Sequence, residues 1–215
     1  LSHSFSKKYF TEKFEDEGTS DYYSYENYEI KEISDLTELL NLNPGLSGLN
    51  VTIPYKEKVI PFLDELMGPA KDISAVNTVA IKRNYRGKAI YCIGHNTDVI
   101  GFYTTLKPLL LPADTGALIL GTGGASKAVA YALKLLQLPF VSVSRKSLQD
   151  VLNYSQITPA TLKQYPVVIN TTPLGTFPDV QQAPEIPYEN LGPHNLLYDL
   201  VYNPAETQFL QRGRK

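Results

Sequence analysis

Apolar and polar positions change period several times along the chain, and each change predicts an element. Residues 117–120, Ala-Leu-Ile-Leu, form a short continuous apolar run, the pattern of a strand covered on both faces. Apolar residues then recur at Ala125, Ala128, Val129, Ala132, Leu133 and Leu136, the stripe of a helix over 124–137 packed on a sheet. A second strand reads over 140–144. Upstream, the pattern predicts a helix from about residue 6 to 14. The second half of a tyrosine-rich run, 22–30, alternates with period two and predicts a strand. A short helix over 35–42 stops before Pro44-Gly45. Asn50-Val51-Thr52-Ile53 alternates as a strand with one wet face, so that Asn50 and Thr52 point the same way. Pro54 suits the first turn of a helix carrying Lys56, and Pro61 ends it and opens a second short helix over 62–67. Runs 75–82 and 89–94 are strands flanking a hairpin-like loop with Gly87 near its end. A helix follows over about 99–111.

Composition narrows the class. A chain of 215 residues, 43% hydrophobic and 20% charged, has material for a sizeable core and reads as globular, in two lobes. A formal charge of −2 gives no reason to expect nucleic acid or an anionic membrane as partner. The one cysteine, Cys92, makes no internal disulfide and sits in an apolar strand, as a core residue. Three histidines and that cysteine form no metal-site spacing. No apolar run is long enough to span a bilayer and no signal peptide is present, so a cytoplasmic protein is expected. The chain starts at Leu1 rather than methionine, which suggests residues upstream.

The chemistry concentrates at a few places. Gly121, Gly123 and Gly124 lie between the 117–120 strand and the following helix, where Gly allows a tight turn and close approach of a ligand. The helix N-terminus behind them suits a pyrophosphate. The third glycine of the dinucleotide pattern is replaced by Ser126, small enough for close helix–strand packing. A glycine-rich turn without ligand is the alternative. Ser144-Arg145-Lys146 ends the next strand, about 20 residues past the glycines, where NAD enzymes carry an acid. Cations there favour a 2′-phosphate, hence NADP, against a merely solvated basic turn. Lys56 near a helix N-terminus is the wrong charge for the dipole, which a ligand would explain and a surface position also would. Ser4 or Ser6 either caps the first helix or binds a ligand, and Thr97 or Asp98 stands where a cap is expected.

Ser4-Phe5-Ser6, Asn50-Val51-Thr52-Ile53-Pro54-Tyr55-Lys56, Ala75-Val76-Asn77-Thr78, Asn96-Thr97-Asp98 and the 121–126 turn occur in one order along the chain. Together they resemble the shikimate dehydrogenase family. Val167-Val168-Ile169-Asn170-Thr171-Thr172-Pro173-Leu174-Gly175 looks like that family's strand ending near the cofactor. Leu197-Tyr198-Asp199-Leu200-Val201-Tyr202 looks like the strand beside the nicotinamide. The resemblance implies an α/β chain of two domains. An N-terminal α/β substrate-binding domain would span 1–97, and a Rossmann-type doubly wound NADP-binding domain 98–215, with the active site in the cleft between them.

The activity implied is reduction of 3-dehydroshikimate to shikimate with NADPH, on the route to chorismate and the aromatic amino acids. Lys56 matches the catalytic lysine, with Asp98 as its partner. Ser4 and Ser6 match serines at the substrate carboxylate, and Asn50, Thr52, Asn77 and Asp98 residues around the ring hydroxyls. Gly121, Gly123, Gly124, Ala125, Ser144, Arg145, Lys146, Thr171, Leu200 and Tyr202 would line NADP, with Arg145 at the 2′-phosphate. The partners implied are small molecules, without metal, nucleic acid or membrane, in a monomer or homodimer. A relative acting on quinate shares nearly all these motifs. A ligand-sensing relative without turnover is the remaining alternative, and it would have lost Lys56 or Asp98. The resemblance also implies residues beyond both ends: a first strand of the substrate domain, and closing helices with a substrate-binding glutamine. A second arginine of some relatives has no match, although Lys146 stands nearby.

Overall fold

The computed structural model describes residues 5–52, 54–86, 88–146 and 149–214. Ser4, Ile53 and Gly87 therefore lie outside the described residues. The chain forms two compact units, Leu1–Gly45 and Leu46–Lys215.

In the first unit, helix α1 (Phe5–Asp16) presents an aromatic ridge. Phe10 stacks on Tyr25 with ring centroids 5.0 Å apart, and Phe14 meets Tyr23 at 5.7 Å. The strand expected over 22–30 is irregular chain instead. Tyr23 and Tyr25 of this run pack on rings of α1 rather than pairing in a sheet. Tyr28 donates to Asn43 Oδ1 at 3.1 Å, beyond helix α2 (Leu36–Leu42). Ser6 stands inside the first turn of α1 and is not its N-cap.

The second unit holds two sheets. The smaller comprises β1 (Gly48–Asn50), β2 (Glu65–Leu66), β3 (Thr78–Arg83) and β4 (Ala89–His95) in the order β1-β3-β4-β2. The β3–β4 hairpin is antiparallel as expected, and β1 adds antiparallel to β3. On β3, Val79 and Ile81 are buried while Ala80 and Lys82 are exposed, the alternation of a sheet covered on one face. Cys92 is buried, as its apolar strand predicts.

Four expectations fail or shift in this region. The strand 50–53 stops at Asn50, so Asn50 and Thr52 share no strand face. The edge continues by one bond, Val51 N–H to Asn77 O at 2.7 Å, before Tyr55 N–H closes a turn on Thr52 O. Residues 54–59 form turns rather than a helix. The Lys56 carbonyl accepts from Val76 N–H at 2.8 Å, whereas Ile60 N–H goes to Glu57 O. That cross-segment bond occupies the acceptor an α-helix would give to residue 60. The helix expected over 62–67 is a 3-10 turn, Ile60–Phe62, followed by β2, which pairs parallel with β4. Asp64 and Met67 N–H donate to Cys92 and Gly94 carbonyls, each at 2.9 Å; the sheet edge overrides local preference. The strand expected over 75–82 also begins late, at Thr78, because Val76 N–H is already committed to Lys56.

The larger sheet is wholly parallel: β5 (Ala117–Leu120), β6 (Phe140–Ser144), β7 (Val151–Asn153), β8 (Val167–Asn170) and β9 (Leu196–Asp199), in the order β7-β6-β5-β8-β9. Helices α3 (Pro69–Ile73), α4 (Asp98–Leu106), α5 (Gly124–Leu135), α6 (Pro159–Gln164) and α7 (Gln208–Gly213) complete the unit. Every residue of β5 and β8 is buried. Ala117, Ile119, Val167 and Ile169 pack into one cluster with Val99, Phe102 and Leu106 of α4 and Val129, Ala132 and Leu133 of α5. Leu118, Leu120 and Val168 enter another with Val143, Leu162 and Phe209. Alternate residues serve opposite faces, and full burial of each Leu, Ile or Val contributes roughly 1.5–3 kcal/mol.

Candidate active site

Lys56 lies in the turn after β1, pinned through its carbonyl by Val76 N–H. Its ammonium donates to Asp98 Oδ2 at 2.6 Å, with the two side chains 20% and 39% exposed. Asp98 opens α4, where the helix dipole favours a carboxylate. Asn77 Nδ2 donates to the other oxygen, Oδ1, at 2.7 Å. Asn77 Oδ1 accepts from Thr97 N–H at 2.9 Å, which settles which way the amide points. Three separate segments thus meet at one carboxylate.

The cap of α4 differs from expectation. Thr97 is the N-cap residue but makes no side-chain cap bond. Asn96 does the work instead: buried to 3% exposure, it donates to Ala75 O at 3.0 Å and accepts from Val99 N–H at 3.3 Å. Sequence reading passed over it, although Asn is a strong capping residue and Asn96 directly precedes the two caps considered.

At the other sheet, Gly121 has φ +110°, and a Cβ there would lie 2.8 Å from Thr171 Oγ1. Only glycine fits both the angle and the approach. Gly123 and Gly124 would carry a Cβ into open space, so packing does not demand glycine there. A bare backbone at the start of α5, with no acidic residue in its first turn, fits an incoming phosphate. Ala125 follows in that turn. Ser126 is buried, and its hydroxyl donates to Gly123 O at 2.5 Å, holding the turn.

Ser144, buried at the end of β6, accepts from Lys146 N–H at 3.1 Å. This local bond shapes the turn bearing the exposed Arg145 and Lys146. At the ends of β8 and β9, Thr171 Oγ1 donates to Leu120 O at 2.7 Å. Asn170, fully buried, donates to Asp199 Oδ1 at 2.9 Å and accepts from Thr172. Asp199 also accepts from Val201 N–H at 3.0 Å and Thr207 Oγ1 at 2.5 Å. Burial pushes the Asp199 carboxyl above its ordinary range, partly offset by those hydrogen bonds. Leu200 N–H is held by Asn170 O at 3.1 Å, and Tyr202 is exposed. In the sequence Asn170 and Asp199 stand only as letters of two motifs 29 residues apart, and no local pattern records their pairing. Asn50 ends β1 opposite Thr78, Thr52 is exposed, and Ser6 lies in the first unit.

Among the described residues, no cluster of three His, Cys, Asp or Glu is arranged to hold a metal, and no helix is long and apolar enough to cross a membrane.

A parallel sheet whose strand order reverses at β5, with a glycine turn at that switch point, defines the Rossmann-type dinucleotide-binding class. Residues 1–79 match the family model for the shikimate dehydrogenase substrate binding domain. A shikimate dehydrogenase (NADP(+)) of Carboxydothermus hydrogenoformans is 41% identical over 184 residues, covering 78% of this chain and 63% of that protein. The Staphylococcus aureus protein of that name is 35% identical over 224 aligned residues, covering 100% of this chain and 80% of its own length. The chain belongs to the shikimate dehydrogenase family. It resembles the solved chorismate mutase/shikimate 5-dehydrogenase fusion protein of Clostridium acetobutylicum, with TM-score 0.80 and 30% identity, over 100% of this chain and 78% of that one. A Thermus thermophilus shikimate 5-dehydrogenase solved with NADP(H) and shikimate gives TM-score 0.79 and 29% identity, over 99% and 80%. In the alignment with the Carboxydothermus relative, the chain spans less than two thirds of that relative's length.

Proposed function

We infer that this chain carries the active site of an NADPH-dependent reductase of 3-dehydroshikimate. The observation that carries the reading is the Lys56–Asp98–Asn77 cluster in the same unit as a glycine turn open to a phosphate. Residues 1–97 serve the substrate and 98–215 the cofactor. NADPH, when bound, supplies the hydride. Gly121, Gly123, Gly124 and Ala125 receive its pyrophosphate, Arg145 and Lys146 its 2′-phosphate beside Ser144, and Thr171, Leu200 and Tyr202 its nicotinamide end.

Hydride arriving at a carbonyl carbon leaves charge on the oxygen, and a positioned acid lowers that cost. Lys56 is that acid: its ammonium gives the proton to the developing alkoxide. Asp98 holds the ammonium in place and accepts a hydrogen bond from a neighbouring ring hydroxyl. Asn77 fixes the carboxylate, and Asn50 and Thr52 contact other ring hydroxyls. Ser4 and Ser6 take the substrate carboxylate. A cytoplasmic monomer or homodimer goes with this reading.

The test is NADPH oxidation by the chain with 3-dehydroshikimate, beside dehydroquinate and NADH. Turnover with 3-dehydroshikimate and NADPH is expected. A preference for dehydroquinate would move the substrate to the quinate series, and binding without turnover would overturn the reading.

A further inference from the structure

Three segments supply the cluster, and each is tied to one helix, α5. Asp98 opens α4, whose Val99, Phe102 and Leu106 share a core with Val129, Ala132 and Leu133 of α5. Glu57, next to Lys56, accepts from Lys127 Nζ at 2.7 Å. Asp72, on α3 and leading into the segment of Asn77, accepts from Tyr131 Oη at 2.7 Å. Lys127 and Tyr131 are four residues apart, so they project from one face of α5. The same helix begins at the glycine turn. Lys127 and Glu57 are about half exposed, so their contact completes no core; the Tyr131 ring packs against the core cluster, while its hydroxyl reaches Asp72.

We propose that Lys127 and Tyr131 are positioning residues, which hold the Lys56 turn and the Asn77 segment at a set distance from the cofactor's phosphate turn. This rests on the reductase reading. An exposed ion pair adds little to stability, but its geometry sets where Lys56 stands relative to a bound cofactor, and about 1 Å of misplacement can cost ~10² in rate.

The test uses the full chain with Glu57→Gln, Lys127→Met, both together, and Tyr131→Phe. Each of the first two is expected to lower kcat about tenfold with the KM for NADPH unchanged. The double variant should lose no more than either single one, since one contact is removed in all three. Tyr131→Phe should act in the same direction, and melting temperatures should move by no more than about 4 °C. Hydrogen exchange of residues 54–59, which needs no turnover, should quicken in Glu57→Gln and Lys127→Met. Unchanged exchange with unchanged kcat would overturn the proposal. A raised KM for NADPH in Lys127→Met alone, with Glu57→Gln silent, would overturn it too, because Lys127 would then serve the phosphate directly. A wild-type chain without turnover would sink the reductase reading, and faster exchange would still report the tie.

Discussion

The two halves of the site in the second unit are built from different materials. At the glycine turn the chemistry is backbone: a Cβ on Gly123 or Gly124 would enter open space, and the Ser126 hydroxyl only shapes the turn. At Lys56 the chemistry is side chain, gathered from segments 42 residues apart. A backbone site is defined wherever strand, turn and helix follow in order. A side-chain site depends on every loop that delivers a member. The first should fail mainly through bulk, the second through loss of one atom or charge.

The widest separation is expected at the cluster. Lys56→Ala should lower kcat by about 10²–10⁴ with little change in KM. Asp98→Asn should lower it as well, and the pair should lose less than the product of the singles, because the two act as one unit. Steady-state kinetics of the three variants, with circular dichroism for folding, decide this, and near wild-type kcat in folded Lys56→Ala would remove its role. Next comes Arg145→Ala, expected to weaken NADPH by roughly 1.5–3 kcal/mol and to leave NADH nearly unaffected, as read by titration of each cofactor.

Glycine substitutions sharpen the contrast from the other side. Gly121→Ala meets Thr171 Oγ1 at 2.8 Å and a φ of +110°, so it should destabilise the fold by about 1–3 kcal/mol. Gly124→Ala meets nothing and should fold normally while binding NADP more weakly. Urea melts beside cofactor titrations separate these outcomes, and equal stability losses would erase the distinction. The smallest effect concerns Asp199. Its folded carboxyl lies above the ordinary 3.8, so the native state holds the proton more tightly than the unfolded chain. Its contribution to stability is full below 3.8 and is lost as pH rises through the raised value. Asp199→Asn should lack that decline, so the stability of wild type relative to the variant should fall as pH rises across this range; a difference independent of pH would refute it.

This contrast also explains what was legible in the sequence. Residues 117–120 are recognisable because a strand buried on two faces needs an apolar run; residues 140–144 read as a second, partly buried β run, and a glycine turn announces itself. The turn at Lys56 was misread as helix because one distant donor, Val76 N–H, diverts its carbonyl, and no local pattern records that bond. Residues 62–67 were misread for the same kind of reason, since the edge of β4 claims them. The members of the cluster were legible only as motif letters shared with a family. Their convergence on Asp98, and the buried cap made by Asn96, are tertiary facts.

The fixed amide of Asn77 has a stoichiometric consequence. With Oδ1 turned to Thr97 N–H, its NH₂ end faces Asp98 and takes one lone-pair position on one carboxylate oxygen, while Lys56 takes one on the other. A carboxylate has about four such positions and an ammonium three protons. The cluster is thus left with acceptor and donor valences side by side, the complement of a carbonyl next to a hydroxyl on one ring. Substrates presenting two carbonyls there would leave an acceptor facing an acceptor.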